Sequence, residues 1–308
     1  MLRNEAHRGN HRGIGTEAPS VKSGALAPVY CVRQPTRYPT VLNTTAKDRP
    51  LRLVQISDCH LGADAGFRLA GLRPWHSFHE VLAHLARQGD IIDRILVTGD
   101  IAADGAAPAY RLFGLGMNDL GLPYNWLPGN HDDFGRMKRD SHLPPFEPLI
   151  ALGHWRLLCL NTAVPGAVGG FIDRHQLASL EAALDTLACH PVAIFMHHPP
   201  ASIGCRWLDR QQVANGEALA AILRRQRMVK ALFSGHVHQP AQVSFAGLPL
   251  YTAPSTSVQF APGSDDFALA QSPPAFRWVD FHENGDLITG ITTIDDSGER
   301  VDLAAGGY

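Results

Sequence analysis

Five short apolar runs in this chain each stop at a motif built from Asp, Asn or His. Leu51-Arg52-Leu53-Val54-Gln55-Ile56-Ser57 ends at Asp58-Cys59-His60, and Ile91 to Thr98 ends at Gly99-Asp100. Tyr124-Asn125-Trp126-Leu127 leads through Pro128 into Gly129-Asn130-His131-Asp132. Val192 to Met196 ends at His197-His198, and Val229 to Phe233 runs on to Gly235-His236-Val237-His238. Runs this short and this apolar read as strands buried on both faces. In an α/β sheet the residues that follow such strands emerge at one edge, where loops begin and ligands bind. Side chains far apart in sequence are thereby expected to form one site.

The elements between the motifs support that reading. Trp75 to Arg87 carries Phe78, Val81, Leu82 and Leu85 at helical spacing, and a second helix is expected from Ala106 to Met117. The resulting β-α-β-α-β order predicts parallel strands. Trp155 to Asn161 reads as a further strand, followed by a Gly-rich loop at 166–170, a helix from Arg174 to Leu187 and a helix from Val213 to Arg225. From Gln242 to about Ile294 the chain reads as shorter antiparallel strands broken by Pro and Gly. The fold expected is α/β, with two mixed β-sheets face to face and helices on the outside. Residues 1–49 read as a flexible N-terminal extension, 50–296 as one domain, and 297–308 as a C-terminal tail whose last residues, Ala304 to Tyr308, are expected to be frayed.

Composition narrows the function classes. A formal charge of −2 gives no electrostatic case for binding nucleic acid or an anionic membrane surface. No apolar run approaches the ~18 residues of a membrane span, and Met1 to Glu5 opens no signal peptide. The 5 cysteines are odd in number and none has Cys-x-x-Cys spacing, which argues against a disulfide framework and suits a reducing cytoplasm. Cys59, between two candidate ligands, is expected to point the other way, into the core.

Each motif alone is ambiguous. Asp58-x-His60 alone reads more readily as a turn than as a ligand pair, His236-x-His238 reads also as a surface strand, and Asn130-His131 as a helix cap. The ordered set at strand ends is what specifies a metal site. Carboxylate, carboxamide oxygen and imidazole are donors for divalent Mn, Fe, Co and Zn. They outnumber what one ion takes, and a bridging carboxylate accounts for the surplus. Two ions about 3.5–4 Å apart serve in-line displacement at phosphorus, activating the attacking water and offsetting phosphoryl charge.

Asp-x-His, Gly-Asp, Gly-Asn-His-Asp, His and Gly-His-x-His, in that order, resemble the signature of the calcineurin-like metallophosphoesterases. Within that superfamily the chain looks most like the bacterial class III cyclic-nucleotide phosphodiesterases. Val164-Pro165-Gly166 with Gly169-Gly170, His197-His198-Pro199-Pro200, and Ala253-Pro254-Ser255-Thr256-Ser257-Val258-Gln259-Phe260 carry that narrower resemblance. It implies that Asp58, His60 and His238 hold one metal, that Asn130, His197 and His236 hold the other, and that Asp100 bridges them. It implies that His131 stays off the metals and acts on the phosphate or the leaving oxygen, with Asn130, His131 and His198 as candidate substrate contacts. It further implies two divalent ions, Fe or Mn, at donors that also accept Zn, Co or Ni. The reaction implied is hydrolysis of 3′,5′-cyclic AMP to 5′-AMP, in the cytoplasm, on a small-molecule substrate. By analogy with relatives that dimerise, a homodimer through the C-terminal strands is expected.

Other readings keep the chemistry and change the substrate to a glycerophosphodiester, a 2′,3′-cyclic nucleotide or a monoester. A binding scaffold without catalysis is disfavoured because every expected ligand is present. The chain departs from the family pattern at Leu160-Asn161-Thr162, where Asp is expected in place of Asn161. Asp132 and Asp133 are expected to start a helix or to support the ligands rather than to bind metal.

Overall fold

The computed structural model describes residues 49–294 and 298–307. The extension expected over residues 1–49 lies, apart from Arg49, outside them.

In chain order the first half runs β1 (Leu51–Ile56), α1 (Pro74–Ala86), β2 (Arg94–Thr98), α2 (Ala107–Leu120), β3 (Tyr124–Leu127), α3 (Phe134–Met137), β4 (Leu149–Leu152) and β5 (Trp155–Leu160). The second half runs α4 (Arg174–Thr186), β6 (Val192–Met196), α5 (Arg206–Asp209), α6 (Gly216–Leu223) and β7 (Val229–Ser234). It closes with β8 (Gln242–Phe245), β9 (Leu248–Thr252), β10 (Gln259–Phe260), β11 (Leu269–Ala270), β12 (Ala275–Phe281) and β13 (Leu287–Thr293). One sheet has the order β13-β12-β1-β2-β3 and the other β4-β5-β6-β7-β9-β8, with β10 and β11 forming a small ribbon.

The period-2 alternation of the strands builds three apolar layers. Leu53 and Leu96 of the first sheet and Leu157, Phe195 and Phe233 of the second share the layer between the sheets. Their neighbours in sequence face outward: Val54, Ile95 and Val97 meet Phe78, Leu85 and Phe113 of α1 and α2. Leu158, Ile194 and Leu232 meet Leu180, Leu184 and Leu219 of α4 and α6. Strands covered on both faces are mostly apolar, which is why these runs stand out in the sequence despite single polar residues such as Gln55 and Asn125. The expected helix–sheet–sheet–helix arrangement is the one observed. β1, β2 and β3 are mutually parallel, as are β5, β6 and β7, so the ends of both series open toward the same cleft.

Some expectations are corrected. β2 starts at Arg94, because Gly89–Ile91 form a 3-10 turn that leaves Ile91 exposed. The helix expected from Val213 starts at Gly216, since Val213 is held in a turn by the Pro199 carbonyl. The strands after Gln242 are not all antiparallel: β9 runs parallel to β7, extending the second sheet before β8 turns back on it. Within the C-terminal tail, residues 299–305 pack against the domain, so the fraying expected from Ala304 does not extend to Ala305. Glu299 accepts from Arg73 Nε at 2.7 Å, Asp302 N donates to the Ala70 carbonyl, Val301 is buried, and Ala305 packs against the apolar cluster that contains Val301. Cys59 is fully buried in the layer under α1 and α2, and Cys59, Cys159, Cys189 and Cys205 are all free thiols. Among the described residues no helix is long and apolar enough to cross a membrane.

Candidate metal centre

Just past β1, β2 and β7 the chain turns sharply. Asp58, His60, Asp100, His236 and His238 all have left-handed φ, between +46° and +68°. For residues with a Cβ this conformation costs roughly 1–2 kcal/mol each. It persists because the turns are bonded to one another. Asp58 N donates to Gly99 O, His60 N to Asp100 O and Gly235 N to His197 O, at 2.9–3.0 Å. Two glycines are dictated by the crowding. A Cβ on Gly99, itself at φ +93°, would lie 2.4 Å from His197 Nδ1, and one on Gly129 would lie 2.1 Å from Asp100 Oδ1.

These turns bring the expected ligands together. Donor atoms of Asp58, His60 and His238 lie within 4.8 Å of one another, and so do those of Asp58, Asp100 and His197. His60 Nε2 and His238 Nε2 approach to 3.1 Å, and His238 Nε2 is 3.4 Å from Asp58 Oδ1. Asp100 Oδ2 stands between the groups, 3.7 Å from His60 Nε2 and 3.3 Å from His197 Nε2. His197 Nε2 is also 3.1 Å from Asn130 Oδ1. Imidazole nitrogens from different strands that converge on carboxylates, with little else to satisfy them, fit divalent cations. The clearest sign is His236, whose Nε2 is buried with no hydrogen-bond partner among the described residues.

The rings are oriented from behind. Nδ1 of His197 donates to Thr98 O at 2.7 Å, and Nδ1 of His238 donates to Val258 O at 2.7 Å. A carbonyl only accepts, so each bond fixes the tautomer that presents Nε2 as the ligand. Asp132 ties its own motif to the turn after β2 and to α2. Its carboxylate accepts from Ile101 N, Ala102 N and Gly129 N at 3.0–3.2 Å and from the Tyr110 hydroxyl at 3.2 Å. Asp133 caps α3 by accepting from Arg136 N. Ser255 Oγ donates to Asp58 O, and Gln259 is bonded within its own turn to Ser255.

Electrostatics follow from burying these groups at close quarters. Burial pulls the His60 and His236 imidazoles well below their usual value. Burial alone would raise the Asp100 carboxyl, but His197 and the other nearby histidines hold it well below the carboxylate range. Burial also works against protonated His197, yet Asp100 and Asp58 outweigh it and push its pKa up to about 9. Desolvation and the Asp100 charge push Asp132 up to about 6.

His131 lies at the cleft with its backbone N donating to Asp100 Oδ1 and its Nδ1 to Ala103 O at 2.8 Å. It is also close enough to His60 and Asp100 for its ring to share a cation with them. His198 is placed differently from the substrate contact expected for it. It is fully buried, with Nδ1 paired to Thr162 Oγ1 at 2.8 Å and Nε2 donating to Val168 O at 3.1 Å. Burial and neighbouring His197 push it down to about 3, so it anchors the 166–170 loop as a neutral ring. Asn161 Oδ1 accepts from Ala163 N, a turn bond that an aspartate would make equally, so the departure at this position leaves the ligands untouched.

The ligands line a cleft of about 330 Å³ whose far side is Val168, Trp207, Gln211, Phe260, Phe267 and Gly307. Of these, Phe260 and the loop that carries Val168 stand out in the sequence. The others sit in loops and a single helical turn, where no periodicity marks them.

The calcineurin-like phosphoesterase family model matches residues 51–240, the span that carries all the ligand motifs. This chain is a calcineurin-like phosphoesterase. Among curated relatives, the 3′,5′-cyclic adenosine monophosphate phosphodiesterase CpdA of Pseudomonas aeruginosa is 38% identical over 267 residues, covering 86% of this chain and 98% of that protein. The protein of the same name from Vibrio vulnificus is 34% identical, covering 86% and 97%. Among solved structures, a dimetal phosphatase from Danio rerio superposes with a TM-score of 0.53 at 16% identity, covering 79% of this chain and 99% of that one. That likeness supports the fold of this phosphoesterase.

Proposed function

We propose that this chain is a dimetal phosphodiesterase that hydrolyses 3′,5′-cyclic AMP to 5′-AMP. The observation that carries the proposal is Asp100, a carboxylate within 3.7 Å of a histidine from each ligand group, in a chain over a third identical to a cyclic-AMP phosphodiesterase. Asp58, His60 and His238 would hold one ion, Asn130, His197 and His236 the other, and Asp100 would bridge. Bound there, two divalent ions, Fe or Mn by family resemblance, supply an activated water and offset charge on the phosphoryl oxygens. The chain's own contribution is positional. The Nδ1–H···O bond to Ala103 fixes the His131 ring, and its Nε2 is then the nitrogen that meets the phosphate and passes a proton to the departing ribose 3′ oxygen. Asn130 and His131, adjacent in one turn, contact the same phosphate. A reaction on a second messenger belongs in the cytoplasm, in keeping with the free thiols.

The test is a rate comparison on one Mn- or Fe-loaded sample among 3′,5′-cyclic AMP, a 2′,3′-cyclic nucleotide, a glycerophosphodiester and bis(p-nitrophenyl) phosphate. Preference for the first supports the proposal. Turnover of the artificial diester alone keeps the dimetal chemistry and rejects the substrate.

A further inference from the structure

The cleft has two unlike halves. One is the ligand cluster, polar and crowded. The other is an aromatic wall that the chemistry at phosphorus does not use. The wall starts against the metal site: the Phe260 ring lies 4.1 Å from the His238 ring and nearly parallel to it, at 14°. Trp207 stands edge-on to Phe260 at 4.9 Å and to Phe267 at 5.3 Å. The indole is locked in its plane by more than packing. Trp207 Nε1 donates to Ser264 Oγ at 3.1 Å, and Ser264 Oγ donates in turn to Ala261 O. Its polar atom is therefore engaged inside the protein, while the half-buried ring lines the cleft.

A plane of this kind suits a flat partner. A sugar phosphate or a glycerol diester is saturated and hydrated and gains little from it. A nucleobase has a π-face and gains by stacking on a rigid aromatic ring. The wall adjoins the metal ligands, which is where the base of a nucleotide lies when its phosphate sits on them. Gln211 adds one amide to the same cleft, and its side chain makes no hydrogen bond among the described residues. We infer that Trp207, braced by Phe260 and Phe267, is the platform on which the substrate's nucleobase stacks, so that this wall makes the site selective for nucleotides over other phosphodiesters. The inference rests on the proposed function for its substrate, but it concerns residues that the metal chemistry leaves unexplained.

Product binding tests it apart from turnover. Metal-loaded protein is titrated calorimetrically with 5′-AMP and with ribose 5-phosphate, which is AMP without the base. Wild type is expected to bind AMP about tenfold or more tighter, the range of one stacked base. AMP, and not ribose 5-phosphate, should quench tryptophan fluorescence. W207A should bind both ligands alike, and W207F should keep most of the preference. W207L retains apolar bulk without the π-face and serves if the alanine variant does not fold. Equal binding of the two ligands by wild type, or an undiminished preference in W207A or W207L, overturns the inference. If AMP preference depends on Trp207 while 3′,5′-cyclic AMP is not hydrolysed, the wall stands and the substrate proposed above falls. If hydrolysis proceeds without any preference for the base, the wall falls alone.

Discussion

His197 is the one residue where the metal site's electrostatics become measurable. Its folded pKa, pushed up to about 9, lies above the ordinary value of 6.5. Its contribution to the stability of the metal-free protein is therefore fully present below about pH 6.5 and fades as the pH rises through about 9. For metal binding the sign is reversed, because the ion must displace that proton. Metal affinity is expected to rise close to tenfold per pH unit between about pH 7 and about pH 8.5, measured by chelator competition. His60 and His236, already neutral, add no further slope. A second prediction concerns Asp132, which accepts from four donors. Asp132→Asn keeps the shape, but each carboxylate oxygen accepts from two donors, so the amide nitrogen strands two of the four at a cost of about 1–3 kcal/mol each. Metal affinity should fall about 10–100-fold, as for other groups that orient ligands, while the melting temperature drops by several degrees.

At the scale of the element, strand ends were legible and loops were not. β1, β2, β3, β6 and β7 are legible because both faces are largely buried, so apolar residues predominate in each and β6 contains nothing else. The polar motif after each was conspicuous by contrast. What remained hidden was conformation. Nothing in the letters Asp58, His60, Asp100, His236 and His238 signals a left-handed backbone, since that conformation favours glycine and these residues are present for their donor atoms. β9 was misread as antiparallel because Pro249 and the turn before it resemble a hairpin, which is half true: β9 pairs with β8 that way and with β7 in parallel. Trp207 is invisible to pattern because the single turn of α5 has no period. The motif glycines give the test at this scale. Gly129→Ala puts a methyl group against Asp100 and Gly99→Ala puts one against His197. Each should cost about 1–3 kcal/mol of stability and most of the bound metal, with an unchanged far-ultraviolet dichroism spectrum.

For the whole molecule, the metal site is a seam. β1 and β2 belong to one sheet, β6 and β7 to the other, and ions bound between their ends would join both halves. Binding only to the folded state stabilises by mass action, about 2.7 kcal/mol when the free metal is a hundred times its dissociation constant. Stripping metal with a chelator should lower the melting temperature by several degrees, and Asp100→Ala should abolish that difference. Phe195 provides the contrast. It stacks on Phe233 at 4.8 Å in the layer between the sheets. Phe195→Leu should lower the melting temperature of the metal-loaded and stripped proteins alike.

The left-handed turns have a consequence for how such a site can be lost. At 58, 60, 100, 236 and 238 the backbone alone would be served best by glycine, and the side chains there are held against that preference. Stability and metal binding therefore pull these positions in opposite directions. A descendant released from catalysis would drift most readily to glycine or asparagine at these positions, relaxing as it loses its donors. Such a chain would keep the two sheets and their helices while its cleft fell silent.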